Sequence, residues 1–439
     1  MIGGLVAFAD RLERRPGLLG VAKLANVALA MAWGFVVTFV FVRLLPLDEF
    51  RAFLLLIAFA NFTVSAELGL TSIIYSRLRR DRVAGEGAFR SEEIVAIFWL
   101  MTALILVGAA LILAGILAGL IPTRHPALFL AFYGVSALNL IAVLARRALA
   151  ALDHNLWWEV LDFLRRVSGI ALLFASLGGL PILDSVLLQL GLALLLLGLA
   201  LRTVHHSLAM TPGHWRAVKR GAGHVRAHYL ADFGRTGALT LFDVAAYNAP
   251  YFTIAAATHD PRPLLLFDFA FKISRALSAI IRALVETMLP GLTRAYFAGA
   301  PADFRAGLRR GALLVLGVTV AAGLGVMTLG RPLADLLFDG HIVLQQIEIV
   351  MIALLLLGLG LICLSVYLQN GLGRFGALVA PSFAFLVGSL ATMPLAAWAY
   401  QTSGWPLSLT FIGLYAAVHL VLGCLHGRML AQLGRERRS

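Results

Sequence analysis

The sequence predicts an all-α polytopic membrane protein, with about twelve transmembrane helices arranged as two six-helix lobes around a central cavity. Of the 439 residues, 60% are hydrophobic and only 13% are charged, and the mean hydropathy is +0.89. An ordinary soluble domain has about 25% charged residues. Because long apolar runs recur along the whole chain, the pattern indicates many membrane crossings rather than a soluble protein with one anchor.

Twelve segments are long and apolar enough to cross a bilayer, since a spanning helix needs about 20 predominantly apolar residues. They lie at roughly 22–45, 50–75, 93–121, 127–150, 156–178, 183–202, 229–257, 264–289, 310–330, 345–370, 376–400 and 406–428. The first is too long for the apolar core of a signal peptide, so we expect it to be retained as a transmembrane helix.

The distribution of Lys and Arg predicts how these helices are oriented. With a cytoplasmic N-terminus, 25 of the 36 basic residues fall in cytoplasmic segments, 5 in outside loops and six within proposed spans. Basic residues accumulate on the cytoplasmic side of membrane proteins, so we expect both termini in the cytoplasm. The same rule accounts for the net charge of +13, which therefore does not indicate nucleic-acid binding.

The longest connection divides the chain into two halves. We expect an N-terminal six-helix lobe at 1–204, a basic cytoplasmic linker at 205–228 and a C-terminal six-helix lobe at 229–439. Many transporters are built from two such repeats, with the substrate site between them. Every outside loop is short, which leaves no soluble domain for chemistry, so we do not expect an enzyme.

The segment 264–289 carries five charged residues on one face. At about 100° per residue they fall within an arc of roughly 80°. They are Asp268, Lys272, Arg275, Arg282 and Glu286. The remaining faces of this predicted helix are largely apolar, so the charges form a continuous stripe.

Two further predicted spans repeat this pattern. Each places three charged residues on one face, within arcs of roughly 60° and 80°. These are Glu159, Asp162 and Arg166 on the span 156–178, and Asp232, Arg235 and Asp243 on the span 229–257. The same helical geometry directs Arg165 away from the stripe of its own span.

The cost of burying charge predicts where the stripes face. A charged residue at the bilayer centre costs roughly 2.5–3.5 kcal/mol on the insertion scale, so six lipid-facing cations would cost roughly 15–20 kcal/mol. That exceeds the stability of most proteins, about 5–15 kcal/mol. The six cations are therefore expected to face a hydrated cavity or one another.

Two interpretations of the stripes remain open. In the functional one, the side chains line a water-filled cavity, and the cations bind a polar substrate; arginine suits phosphate because its planar fork bonds oxygen atoms bidentately. The candidate substrate-binding cations are Arg275, Lys272, Arg282, Arg235 and Arg166, and the candidate cavity carboxylates are Asp268, Glu286, Asp232, Asp243, Glu159 and Asp162. In the structural one, i,i+4 neighbours only neutralise each other.

Three i,i+4 pairs suit the structural interpretation: Asp162 with Arg166, Asp268 with Lys272, and Arg282 with Glu286. Arg275 has no carboxylate four residues away on its own helix. We therefore expect it to meet either a substrate phosphate or a carboxylate from a neighbouring helix.

No cofactor or metal site is expected. His224 and His228 have the i,i+4 spacing of a metal-binding pair, but Val225 stands where a zinc protease would have Glu, and no nearby Cys or carboxylate completes a site. The sequence also has no P-loop motif for ATP.

Three stretches carry a resemblance to a known family. "FVRLLPLDEFRAFLLLIAFANFTVSAELGL" (41–70), "DPRPLLLFDFAFKISRALSAIIRALVETMLPGLTRAY" (260–296) and "VYLQNGLGRFGALVAPS" (366–382) resemble helices one and two, helix eight and the exit of helix ten in polysaccharide flippases. These proteins belong to the multidrug/oligosaccharidyl-lipid/polysaccharide exporter superfamily. The sequence departs from the family at Leu45 and Arg51, where glycine is usual.

The resemblance implies a Wzx-like flippase of the bacterial cytoplasmic (inner) membrane, working by alternating access. Its cargo would be an undecaprenyl-diphosphate-linked oligosaccharide for cell-surface polysaccharide. A coupling ion, membrane lipid and other polysaccharide-assembly proteins would be its partners, and no nucleic acid. Two alternatives stay open: a cation-coupled small-molecule or multidrug exporter of the same superfamily, and a membrane glycan polymerase.

Overall fold

The computed structural model describes residues 16–84 and 89–435, and within these ranges it leaves undescribed the side chains of residues 16–18, 83, 84, 230–233, 235 and 236. Every regular element in the described ranges is a helix. In chain order the helices are α1 (Pro16–Leu44), α2 (Leu47–Ser65), α3 (Leu70–Ala84), α4 (Ser91–Leu117), α5 (Pro126–Ala137), α6 (Asn139–Ala151), α7 (Asn155–Leu177), α8 (Ile182–Ser207), α9 (Pro212–Arg216), α10 (Val218–Ala257), α11 (Arg262–Phe297), α12 (Pro301–Phe338), α13 (Gln346–Gly371), α14 (Phe375–Ser403) and α15 (Leu407–Arg435).

The chain forms two compact units, Met1–Leu241 and Phe242–Ser439, which we call the N-terminal unit and the C-terminal unit. The division falls within α10, a continuous helix of 40 residues. The segment 205–228, expected from the sequence to be a linker, contains α9 and the first turns of α10. The lobe boundaries at 204 and 229 stay a prediction.

Nine helical stretches in the described part of the chain are both apolar and long enough to cross a membrane. The three remaining predicted spans correspond to α7, α10 and α11, the helices that carry the charge stripes. They contain 23, 40 and 36 residues, so at 1.5 Å per residue they extend about 35, 60 and 54 Å, enough to cross a hydrocarbon core of about 30 Å. Their polar and charged residues, and not short length, set them apart from the other nine.

Two predicted spans are interrupted in the structure. The span 50–75 divides into α2 and α3, because Leu68 and Gly69 adopt positive φ angles of 47° and 86°. Glu67, three residues before α3, accepts hydrogen bonds from the backbone N–H and the hydroxyl of Thr71 in the first turn of that helix, at 3.1 and 2.6 Å. The span 127–150 divides at Leu138 into α5 and α6.

The core of the N-terminal unit contains an aromatic cluster between α1, α2 and α5. Phe41 and Phe53 stack with ring centroids 3.9 Å apart, and Phe132 packs against both. Elsewhere in this unit α7 packs against α1 and α8, and α8 also packs against α5. These contacts fix the position of the charged helix α7.

In the C-terminal unit α13 packs against α11, α12 and α15. Its contact with α15 is close because both helices present glycine there. A Cβ atom on Gly358 would lie 2.3 Å from the backbone oxygen of His419, and one on Gly423 would lie 2.8 Å from the Cα of Gly358. Small residues allow membrane helices to approach at backbone distance, and here they bring α13 and α15 into close contact.

Candidate functional site

The first turns of α11 contain a buried ion pair. Lys272 donates a hydrogen bond to Asp268, and the side chains are only 10% and 2% exposed. Tyr251 of α10 donates its hydroxyl hydrogen to the other carboxylate oxygen at 2.6 Å. The predicted pairing of Asp268 with Lys272 is confirmed, and both Asp268 oxygens are occupied by protein groups.

Arg275 lies one turn further along α11 and is exposed. Its guanidinium carbon is 5.8 Å from the ring centroid of Phe271, and it lies within electrostatic reach of Asp243 on α10. Asp243 is exposed as well, so both charges are accessible, and we call the surface that carries them the Asp243–Arg275 crevice. From the sequence we expected Arg275 to meet either a substrate phosphate or a carboxylate from a neighbouring helix. Asp243 is such a carboxylate.

The far end of the α11 stripe pairs within its own helix. Arg282 Nε donates to Glu286 Oε1 at 2.8 Å, as the i,i+4 spacing predicts, and both side chains are 60% exposed. Between this pair and Arg275, Ser278 and Tyr367 share a hydrogen bond of 2.8 Å between hydroxyls. The stripe is therefore a series of polar contacts with different degrees of burial.

On α7, one carboxylate binds two arginines. Arg166 Nε donates to Asp162 Oδ2 at 2.8 Å, which confirms the predicted i,i+4 pair. Arg165 donates from Nε and Nη2 to Asp162 Oδ1, at 3.2 and 2.7 Å. The expectation that Arg165 points away from the stripe was wrong, because positions i and i+3 are also neighbours on a helix surface and a long side chain spans the difference.

The other α7 carboxylate has a different partner. Glu159 is buried and accepts a hydrogen bond of 2.6 Å from the side-chain amide of Asn26 on α1. The same amide also donates to the Glu159 backbone oxygen at 2.9 Å. Two further predicted site residues, Asp232 and Arg235, have side chains outside the described residues.

A cavity of about 50 Å³ lies beside the arginines within the N-terminal unit. Its wall includes Trp33, Asn139, Arg165, Arg166, Gly169 and Gln189. Sequence reasoning did not single out Gln189. A glutamine within an apolar run is usually an interhelical hydrogen-bonding residue, and nothing in the pattern says that it faces the two arginines.

Comparisons with known proteins identify the architecture. No family model matches the chain, and no curated protein matches it in sequence. The structure is similar to the outward-facing conformation of a multidrug resistance MATE family transporter of the MOP superfamily, with TM-score 0.62 and 14% identity over 95% of each chain. The inward-facing conformation of such a transporter matches with TM-score 0.59 and 13% identity, over 93% of this chain and 96% of the other.

The MATE transporter VcmN of Vibrio cholerae, in its bent form, matches with TM-score 0.59 and 16% identity over 98% of each chain. The architecture is thus that of a multi-pass, two-lobe integral membrane protein. More narrowly, it is the fold of the MATE transporters. This fold is the one expected from the superfamily that the sequence resembles.

Proposed function

We propose that this protein is an alternating-access membrane transporter that exports small amphipathic organic molecules and performs no enzymatic chemistry. The observation that carries the proposal is that inward-facing and outward-facing transporter structures both match nearly the whole chain. A fold that is known in two opposite conformations suits a mechanism in which a central site opens to each side of the membrane in turn. Those structures belong to multidrug resistance transporters, which favours small organic cargo over a lipid-linked glycan.

In this proposal the transporter lies in the bacterial cytoplasmic membrane with both termini in the cytoplasm. Its lobes are the segments 1–204 and 229–439 that the sequence predicts, joined by 205–228. Membrane lipid surrounds it, and an ion gradient drives export. A charged cargo cannot be moved against its gradient without such a coupled source of free energy.

The crevice at Asp243 and Arg275 is the proposed cargo contact in the C-terminal unit. Both residues are exposed, so a ligand can reach them, and Phe271 and Tyr247 supply aromatic surface nearby. Opposite charges beside aromatic rings suit an amphipathic ligand with one charged end, since rings bind its apolar body and cations favour ring faces. The buried pair Asp268–Lys272 has no accessible carboxylate oxygen left, so in this proposal it stabilises the fold and does not bind cargo.

Transport by the purified protein in proteoliposomes tests the proposal, with ethidium as a cationic amphipathic probe and a proton or sodium gradient as the driving force. We expect wild type to move the dye only with a gradient. Asp243→Asn removes the counter-charge for the dye and lowers the initial rate about tenfold, as expected for loss of a charge-assisted contact. Arg282→Ala, a control on the Glu286 pair, keeps the wild-type rate. Failure of wild type to move the dye under either gradient contradicts the proposal.

The second candidate is the flipping of an undecaprenyl-diphosphate-linked oligosaccharide. The three sequence stretches at 41–70, 260–296 and 366–382 favour it, as does the accessible guanidinium of Arg275, which is suited to phosphate. Here Arg275→Ala abolishes surface glycan in a flippase-deficient host, while the protein remains in the membrane. Normal glycan display in that variant contradicts the diphosphate role.

The two candidates predict opposite sensitivities in the same crevice. A cationic dye needs Asp243 and is repelled by Arg275, whereas a diphosphate needs Arg275 and is repelled by Asp243. Asp243→Asn and Arg275→Ala, measured in both assays, therefore separate the candidates.

A further inference from the structure

The N-terminal unit contains a second polar site, distinct from the crevice at Asp243 and Arg275. We propose that the cavity beside Arg165 and Arg166 binds a phosphate group that carries a neighbouring hydroxyl. This site does not depend on the transport proposal, because binding can be measured whether or not the protein moves a cargo. We call it the two-arginine cavity, lined by Trp33, Asn139, Arg165, Arg166, Gly169 and Gln189.

The charge of the site favours an anion. Arg165 and Arg166 share the single carboxylate of Asp162, so these three side chains carry a net charge of +1. Glu159, the nearest other carboxylate of α7, binds Asn26 and neither arginine. An unmatched positive charge at membrane depth is costly, and a bound anion would neutralise it.

Free hydrogen-bond donors remain on both arginines. Asp162 occupies Nε and Nη2 of Arg165 and only Nε of Arg166. Among the described residues nothing accepts from Nη1 of Arg165 or from either Nη of Arg166. Guanidinium N–H groups bind phosphate oxygens through short, charge-assisted hydrogen bonds, so this wall of the cavity suits a phosphate.

Gln189 supplies an acceptor on another wall. The residue is only 4% exposed, yet its side-chain oxygen Oε1 has no hydrogen-bond partner among the described residues. The surrounding network fixes which end of the amide is free. Nε2 donates to the hydroxyl oxygen of Ser185 at 3.4 Å, and that hydroxyl donates in turn to the backbone oxygen of Leu172 at 2.8 Å.

Rotating the Gln189 amide by 180° would place its oxygen against the Ser185 hydroxyl, whose hydrogen already donates to the Leu172 backbone oxygen. Oε1 is therefore the atom without a partner. That atom would lie 3.8 Å from a Cβ on Gly169, which also lines the cavity. A buried oxygen without a hydrogen-bond partner destabilises the folded protein. A ligand hydroxyl would satisfy it.

The size of the cavity limits the ligand. About 10–15 Å³, measured in the same way, holds one water molecule, so a cavity of about 50 Å³ accepts a group of a few heavy atoms. A phosphate group with an adjacent hydroxyl meets this limit. The remainder of a larger molecule would have to extend through the open side of the cavity.

Binding to the full-length protein in detergent, measured by calorimetry, tests the inference. The probes are glycerol 1-phosphate, which has hydroxyls beside its phosphate, and methyl phosphate, which has none. We expect saturable binding of both and a preference of about 3- to 10-fold for glycerol 1-phosphate, the value of one hydrogen bond. No saturable binding to wild type overturns the proposal.

Variants separate the two walls of the cavity. Arg166→Gln weakens both probes by at least about tenfold, because it removes a charge-assisted contact. Gln189→Leu keeps methyl phosphate binding and abolishes the preference for glycerol 1-phosphate. Arg282→Gln, in the other unit, changes neither. Equal binding by wild type and Arg166→Gln overturns the proposal.

A variant with the opposite sign guards against misfolding as the explanation. Asp162→Asn removes the carboxylate that competes for the arginines, so both probes bind at least about fivefold tighter, since an added unit of net charge attracts a nearby anion. A structural role for the three residues predicts no tightening, and unchanged or weaker binding in this folded variant overturns the proposal.

The phosphate can come from a free metabolite or from a lipid head group. Phosphatidylglycerol carries the same combination of phosphate and hydroxyls. The calorimetry is therefore repeated in nanodiscs of phosphatidylcholine with and without phosphatidylglycerol. Competition by the anionic lipid with glycerol 1-phosphate assigns the site to a head group, and binding that is unaffected by the lipid assigns it to a free phosphate ester.

Discussion

Two ion pairs on α11 have the same i,i+4 spacing and very different burial, and this contrast leads to a quantitative prediction. The side chains of Asp268 and Lys272 are 2% and 10% exposed, whereas those of Arg282 and Glu286 are both 60% exposed. Asp268→Asn keeps an oxygen for the Tyr251 hydroxyl and removes only the charge. Lys272→Met removes the other charge with little change of volume.

The expected costs differ about tenfold. Breaking one side of a buried ion pair costs about 3–5 kcal/mol, because the remaining charge is left buried without a counter-charge. An exposed pair of this spacing contributes about 0.3–0.5 kcal/mol. A unit of about 200 residues loses about 2–4 °C per kcal/mol. Each single change at the buried pair should lower the melting temperature by roughly 6–20 °C, and Arg282→Met by at most about 2 °C.

The double variant Asp268→Asn/Lys272→Met gives the decisive measurement. Both charges are then absent, and replacing a buried pair by neutral groups of similar volume is often close to neutral in stability. We expect the double variant to melt at a higher temperature than either single variant, measured by scanning fluorimetry in detergent. If its loss instead equals the sum of the two single losses, the residues do not stabilise each other and the reasoning is refuted.

Two further predictions concern packing and a buried carboxylate, both read out as melting temperature. Gly358→Ala places a Cβ 2.3 Å from a backbone oxygen of α15 and should lower the free energy of unfolding by at least about 2–3 kcal/mol. Gly413→Ala, with open space around its Cβ, should be neutral or slightly stabilising. Equal effects of the two changes would contradict the close helix contact. Tyr229→Phe removes the 2.7 Å hydrogen bond to the fully buried Glu93 and should lower the free energy of unfolding by about 1–3 kcal/mol. Tyr400→Phe, at an exposed position, should have no effect. An unchanged melting temperature in Tyr229→Phe would show that the hydrogen bond does not stabilise the protein.

Helical periodicity predicted the contacts that lie within one helix. The pairs Asp268–Lys272 and Arg282–Glu286 follow from a spacing of four residues, which places two side chains on the same face whatever surrounds the helix. The same reasoning failed for Arg165. An angular position describes where a side chain starts and not how far a guanidinium on a long stem can reach.

Contacts between helices could not be predicted from the sequence, because they depend on which helices pack together and on how each helix is rotated about its axis. Asn26 binds Glu159 across 133 positions of the chain, and Tyr251 reaches Asp268 from the preceding helix. Asn26 and Tyr251 carry no charge, so neither belongs to a charge stripe. Polar residues within apolar spans were the available signal, but such residues do not name their partners.

Composition predicted the helical membrane fold, but it did not predict where individual helices are interrupted. An apolar chain with few charges in long runs has few alternatives to a helical bundle, because membrane-spanning backbone must satisfy its hydrogen bonds internally. The division at Leu68 and Gly69 depends on two positive φ angles. Gly69 permits such an angle readily, whereas Leu68 adopts it only in the tertiary structure, so the sequence showed a continuous span.

The pattern of partners changes where an anion is expected to bind. From the sequence, Arg275 was the cation without a carboxylate on its own helix. In the C-terminal unit each cation of the α11 stripe has a carboxylate within reach: Lys272 has Asp268, Arg282 has Glu286, and Arg275 has Asp243 across the helix contact. On α7 two arginines share one carboxylate. Because a net positive charge beside a cavity attracts an anion more strongly than a matched pair does, phosphate selectivity is expected on α7, and the α11 crevice, with its two opposite charges and its aromatic rings, is expected to bind the amphipathic cargo.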